Sequence, residues 1–303
     1  MRTEQDRNAL LESVSRSFFL TIRALPKALR HPVRTAYLLA RASDTIADTT
    51  DIPLQERKKH LQRLRDIILD AEPPERSVEM GAAAGSLQSH AGERILLTHL
   101  PEVLADYAAL EPADHTDVRW VLEQITEGQL GDLDRPRLKD AAELERYTWL
   151  VAGCVGEFWT RIGVRKLRNY ARLPDAEMIQ LGADFGKGLQ LVNILRDLPE
   201  DAAQGRCYLP DENDFARWKD RANLLLENGW RYVLALNGWR LRLACALPVL
   251  IGLRTLALLG TVAPRNRIKV PRGEVRSILF QTALRAWSRT ALANYRRRSL
   301  PKG

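Results

Sequence analysis

The chain is short of the patterns that mark several common chemistries. Its three cysteines, Cys154, Cys207 and Cys245, are an odd number and widely spaced. No CxxC and no flanking histidine accompanies them, so they make no zinc site and read as thiols of a reducing compartment. The five histidines, His31, His60, His90, His99 and His115, form no HExxH or comparable ligand spacing. No GxGxxG follows a strand-like run, which excludes a Rossmann dinucleotide domain. A transmembrane helix needs about 20 uninterrupted apolar residues. The best run, Leu241 to Leu259, is broken by Arg242 and Arg254 and reads as a core helix kinked at Pro248. Met1 to Glu12 is charged and has no apolar stretch, which predicts no secretory leader. The expected location is therefore cytoplasmic.

What the chain does have is an ordinary globular balance, with 45% hydrophobic and 28% charged residues in 303. Its 46 Lys and Arg against 38 Asp and Glu leave a net charge of +8. Such an excess suits nucleic acid, an anionic membrane surface or a phosphorylated small substrate. Nucleic acid is set aside, because no binding motif and no aromatics interleaved with a basic patch accompany the charge. Oligomeric state is not legible.

No segment alternates as a strand would, and apolar residues recur at helical spacing, so the expected class is all-α. No composition break divides the chain, and residues 1–303 are expected to form one domain. A first helix runs to about Val14, and Ser15 to Pro26 reads as an irregular link. The next helix opens at Pro32 and stops before Pro53. Glu72 to Gly92 holds Pro73, Pro74, Gly81, Gly85, Ser86 and Ser89, so residues 71–92 read as a mobile loop. Helices follow over Pro101–Leu110, Pro112–Leu130 and Ala141–Gly163. GDLDRPRLKD interrupts them, with Asp132 as an extra acid or a turn cap. A long helix begins after Pro174. Two NGWR copies, at Asn228 and Asn237, are nine residues apart and fall on opposite helical faces, so they are not a repeat. One basic helix, Glu274 to Arg298, closes the pattern, and residues 284–303 form a basic end.

Two acidic pairs stand out. In the long helix Asn193, Asp197 and Asp201 form one polar stripe, with Gln190 and Arg196 beside it, among Leu189, Leu191, Val192, Ile194, Leu195 and Leu198. Two like charges stacked without a cation between them call for a divalent partner. Pro199, between the two acids, is expected to kink the helix. Upstream, Tyr37, Arg41, Asp44 and Asp48 fall along one helical edge. Two helices that each present an i, i+4 carboxylate pair across an apolar cavity suit Mg2+, which takes a few carboxylates, waters and substrate phosphate oxygens. Arg41, Arg196 and Arg206 add forked donors for phosphate.

SRSF at Ser15 to Phe18, RASDTIAD, RYTWLVAGCVGE at Arg146 to Glu157, and NILRDLPEDAAQGRCYLP resemble, in that order, the squalene and phytoene synthases. The resemblance spreads from Ser15 to about Val275. It implies an isoprenoid-synthase-type helical bundle around a central apolar cavity, with Asp44, Asp48, Asp197 and Asp201 carrying Mg2+ and Asn193 supporting the second cluster. It also implies diphosphate contacts from Ser15, Arg16, Ser17, Tyr37, Arg41, Gln190, Arg196 and Arg206. Tyr147 matches a tyrosine that stabilises a cation or moves a proton; its plain alternative is a core tyrosine. The first motif departs from the fuller DDxxDD form at Ser43 and Thr49.

RIKVPRGEV looks more like squalene than phytoene synthases. Lys269 and Arg272 are then candidates for NADPH, or else solvated loop charges. No counterpart of the eukaryotic family members' membrane anchor is expected; Arg296, Arg297 and Arg298 either touch an anionic membrane surface peripherally or solvate a frayed end. The expected reaction is Mg2+-dependent condensation of two farnesyl diphosphates to presqualene diphosphate and, with NADPH, to squalene. The alternatives are a phytoene or dehydrosqualene synthase, a presqualene diphosphate synthase, and a non-catalytic scaffold relative.

Overall fold

A computed structural model describes residues 3–135, 137–211 and 214–299; the side chains of residues 16–18 and 20 lie outside the description. Among the described residues the chain is all-α, with two isolated bridges, Arg137 to Cys207 and Ala171 to Leu236, and no strand. It divides into two compact units, Met1–Asp134 and Arg135–Gly303.

The first unit runs α1 (Glu4–Val14), α2 (Arg16–Ala24), α3 (Lys27–Asp48), α4 (Leu54–Ile68), α5 (Arg76–Ser86), α6 (Ala91–Thr98), α7 (Leu100–Ala108) and α8 (Pro112–Asp134). Helix α3 packs against α4, α6, α7 and α8. Leu38, Leu39, Ala42 and Ile46 of α3 are buried, as are Leu61, Leu64 and Ile68 of α4 and Val118, Val121, Leu122 and Ile125 of α8. Each buried Leu or Ile contributes about 1.5–3 kcal/mol, far more than any local propensity here. A fork from Arg7 onto Asp106, with both contacts at 2.5 Å, ties α1 to α7.

Three sequence expectations fail in this unit. Residues 16–24, read as an irregular link, are helical. Helix α3 begins at Lys27 and not at Pro32, which lies inside it. Burial of Leu29, Val33 and Ala36 holds those first turns together across the missing proline N–H. The segment 71–92, read as a loop, contains all of α5. Its glycines are contact glycines: a Cβ on Gly81 would stand 2.3 Å from the Leu97 carbonyl oxygen of α6. Close helix packing and loop formation both select glycine, and sequence alone does not separate them.

The second unit runs α9 (Ala141–Thr148), a π-helical turn (Trp149–Gly153), α10 (Cys154–Lys166), α11 (Asp175–Ala203), α12 (Phe215–Ala235), α13 (Trp239–Leu258), α14 (Arg272–Arg285) and α15 (Arg289–Ser299). Helix α11 is its hub, packed against α9, the π turn, α10, α12 and α13. The approach to α10 is backbone to backbone, for a Cβ on Gly156 would fall 1.8 Å from the Gly182 carbonyl oxygen. Pro199 lies within α11, which continues to Ala203, so Asn193, Asp197 and Asp201 share one helical face.

The apolar run forms α13, long and apolar enough by composition to cross a membrane but mostly buried in this unit. Arg242, which broke that run, is 4% exposed and donates to the carbonyls of Leu236, Asn237, Ala286 and Trp287. Burial pushes its pKa down, with Arg289 and Arg172 adding to the effect. Where one basic helix was expected from Glu274 to Arg298, there are two, α14 and α15. Arg242 takes the carbonyls left open at the break.

Gly156→Ala should force α10 from α11 and lower unfolding free energy by about 2 kcal/mol in urea titration. Unchanged stability would mean that the two backbones do not meet so closely.

Candidate active site

In the first unit, α3 places Tyr37, Arg41, Asp44 and Asp48 along one edge, as their spacing requires. Ser15, the residue joining α1 to α2, hydrogen-bonds the Tyr37 hydroxyl, bringing two distant motif blocks together. Burial raises the Tyr37 pKa, a change that the Ser15 bond and the Arg41 charge oppose. Arg41 pairs with Glu93 of α6, while its Nε is buried without a hydrogen-bond partner. Asp48, at the end of α3, is exposed.

Asp44 is half-buried and accepts a hydrogen bond from the Gln129 amide of α8. Its carboxyl is pushed up to about 6, first by burial and then by the Asp48 charge, against the help of Arg41 and Gln129. The amide oxygen of Gln129 is buried with no partner. An acid reluctant to ionise, a second carboxylate one turn on and an unsatisfied amide oxygen are a hard-cation donor set. Among the described residues no three Asp, Glu, His or Cys side chains form a metal cluster.

Gln129 escaped the sequence reading, although a signal was present. Val118, Leu122 and Ile125 form the buried stripe of α8, and Gln129 and Asp132 continue it at helical spacing. Polar residues that prolong an apolar stripe point inward. Asp132 lies in α8 and not in the expected loop.

In the second unit the stripe of α11 is less bare than its sequence implies. Arg196 forks onto Asp197, with Nε at 2.8 Å. Arg267, in the loop before α14, reaches Asp197 at 2.7 Å and Glu200 at 2.8 Å. Arg196 was expected beside the stripe, whereas Arg267 was not: Asp197 lies between two guanidinium groups, one from 70 residues downstream, beyond the reach of local spacing. A metal at Asp197 would compete with Arg267. Asn193 is exposed and Gln190 half-buried on the same helix.

The end of α11 explains the Gly-Arg pair. Gly205 has φ +75°, the left-handed region that favours glycine. The N–H of Arg206 then bonds the Asp201 carbonyl at 2.9 Å, and that of Gly205 bonds Ala202 at 3.0 Å, closing a Schellman cap. The cap fixes Arg206 next to the last acid.

Tyr147 is half-buried at the end of α9, its ring stacked on Tyr208 of the YLP block at 5.0 Å and 17°. Glu145, two residues earlier, takes Lys187 of α11 and Arg221 of α12. Burial alone would raise its pKa; the hydrogen bonds from Arg221 and Lys187 outweigh it and hold the group below the usual range. Trp149 donates to Glu157 at 2.7 Å across the π turn. Such turns cost helical regularity and recur at functional sites. Here the turn meets α11, where a Cβ on Gly186 would lie 2.0 Å from the Ala152 carbonyl oxygen.

Lys269 and Arg272 are exposed, Arg272 opening α14. The side chains of Arg16 and Ser17 lie outside the described residues. Each expected pair thus has its own surroundings: Ser15, Tyr37, Arg41, Asp44 and Asp48 in the first unit, and Arg196, Asp197, Asp201, Arg206 and Tyr147 in the second.

Asp44 also sets a pH dependence. With its folded pKa near 6 and a free value of 3.8, the folded state binds the extra proton, so its contribution to stability falls as pH rises from about 4 to about 6. In chelator, Asp44→Asn should gain about 2 kcal/mol over the parent at about pH 8 and nothing at about pH 4. Equal differences at both pH values would refute the raised pKa.

Residues 11–214 match the family model described as squalene/phytoene synthase. Across 298 residues the chain is 26% identical to the Botryococcus squalene synthase of Botryococcus braunii, an alignment covering 89% of this chain and 61% of the other. It is 34% identical over 203 residues to the presqualene diphosphate synthase of Rhodopseudomonas palustris, covering 65% and 58%. The chain thus spans less than two thirds of the length of these relatives. Among solved structures, TcSQS in complex with the ligand E5700 superposes with a TM-score of 0.76 at 22% identity, covering 97% of this chain and 90% of that one.

Proposed function

The chain belongs to the squalene/phytoene synthase family of head-to-head prenyltransferases, and from that membership we propose that it condenses two farnesyl diphosphates to presqualene diphosphate and reduces this with NADPH to squalene. The observation that carries the metal-diphosphate part is the half-buried Asp44 beside Asp48 and the unsatisfied Gln129 oxygen. Bound Mg2+ would supply the Lewis acid that draws charge from a leaving diphosphate. Asp44 and Asp48 would hold it in the first unit, and Asp197 and Asp201, with Asn193, in the second.

The remaining work falls to the chain's own side chains. Arg41 offers its unbonded Nε, and Arg196 and Arg206 their forks, to phosphate oxygens, with Ser15, Tyr37 and Gln190 as neutral donors. The reaction loses a proton when the cyclopropane closes, and Tyr147 is the group we assign to stabilise the cation or carry that proton. Its stack on Tyr208 fixes the ring. The reaction would need apolar walls to keep water from the allylic cation.

The reductive half rests on different support. The alignment with one squalene synthase takes in 89% of the chain, beyond the residues 11–214 that the family model matches. Exposed Lys269 and Arg272 stand at the N-terminus of α14, where backbone donors and the helix dipole favour a phosphate such as those of NADPH.

Incubation of purified protein with farnesyl diphosphate and Mg2+, with and without NADPH, followed by mass identification of extracted lipids, tests both halves. Squalene is expected with NADPH and presqualene diphosphate without it. Presqualene diphosphate under both conditions would remove the reductive half. Phytoene from geranylgeranyl diphosphate, with farnesyl diphosphate inert, would overturn the substrate. No product from any prenyl diphosphate would leave a scaffold relative. Tyr147→Phe should cut turnover by at least about tenfold while leaving the melting temperature unchanged; full activity would return Tyr147 to a packing role.

A further inference from the structure

Charge is distributed unevenly along the chain. Residues 228–303 hold fifteen Lys and Arg and one acid, Glu274, a net of +14 against +8 for the whole chain, so residues 1–227 are net acidic. Glu274 is already paired with Arg254. Within this region α14 has two apolar faces. Ile278, Thr282 and, just past its end, Ala286 are buried, completing the inner one. Phe280 and Leu284 recur one turn apart on another face, Trp287 follows in the turn just past the helix end, and the three are 61%, 58% and 64% exposed.

A helix needs one apolar face to fold against its neighbours; a second calls for a further apolar phase. Trp287 is stacked on Trp239 at 4.1 Å, and the Arg240 guanidinium lies 5.3 Å from the Trp239 ring centroid. Arg276, one turn before Phe280, is exposed on the same side. Exposed aromatics flanked by arginines match the level of lipid headgroups, where rings enter the acyl boundary and cations meet phosphates.

We propose that this face of α14 docks the protein on the surface of an anionic lipid bilayer, with Phe280, Leu284 and Trp287 inserted and Arg240 and Arg276 at the headgroups. Charge selects this occupant. A second copy meeting the first symmetrically through this face would set the same basic region against itself, and nucleic acid would leave the three apolar side chains unused. The inference stands apart from the reaction proposed above and needs no prenyl diphosphate.

Full-length protein is sedimented with vesicles of phosphatidylcholine alone or mixed with phosphatidylglycerol. Partitioning should be at least about tenfold stronger with the mixed vesicles and weaken as salt is added. Replacing Phe280, Leu284 and Trp287 together by Ser should reduce it about tenfold. Arg276→Glu should also weaken it, with the apolar face intact. Circular dichroism and melting temperature check that both variants are folded. Equal binding to the two vesicle types, no binding to either, or full binding by a folded triple variant would overturn the proposal. So would self-association that the triple variant abolishes, or binding to duplex DNA tighter than to the mixed vesicles.

Discussion

Water is what a carboxylate ordinarily relies on, and Asp44 has been moved partly out of it. Its charge is disfavoured by burial and again by Asp48, so the apo protein holds a group whose ionisation lowers its own stability. Gln129 offers Asp44 a hydrogen bond through one end of its amide and leaves the other end unsatisfied. The core around Leu39, Ala42 and Ile46 keeps the edge of α3 in this position. Local stability is thereby traded for a place where a cation is worth more than it would be in water.

The second unit depends on a different constraint, the distance between backbones. Gly156, Gly182 and Gly186 leave room for α10, the π turn and α11 to touch without side chains between them. Tyr147 therefore sits on a rigid stem, with Glu145 fixed by two cations from neighbouring helices. A larger residue at those glycines would alter where Tyr147 points as well as how tightly the helices pack.

The sequence made the class and the main motifs legible because helical periodicity and i, i+4 spacing are local. Ser15, Tyr37, Arg41 and Asp44 lie in one neighbourhood. Gln129, Glu93 and Arg267 were missed because each reaches its partner across a gap that no local pattern spans: Gln129 is 85 residues from Asp44, and Arg267 is 70 from Asp197. The proline and glycine misreadings share a cause. Pro32, Gly81 and Gly85 were scored for the backbone freedom that they remove or grant, whereas tertiary burial decided their setting.

Arg267 couples the loop between α13 and α14 to the charge state of α11. It spans Asp197 and Glu200. Whatever cation takes Asp197 must do so against this guanidinium, and linkage makes the competition reciprocal: each unit of affinity gained at Asp197 is a unit lost by the loop's anchor. Hydrogen exchange in residues 260–271 would then track occupancy of a carboxylate that the loop itself does not contain.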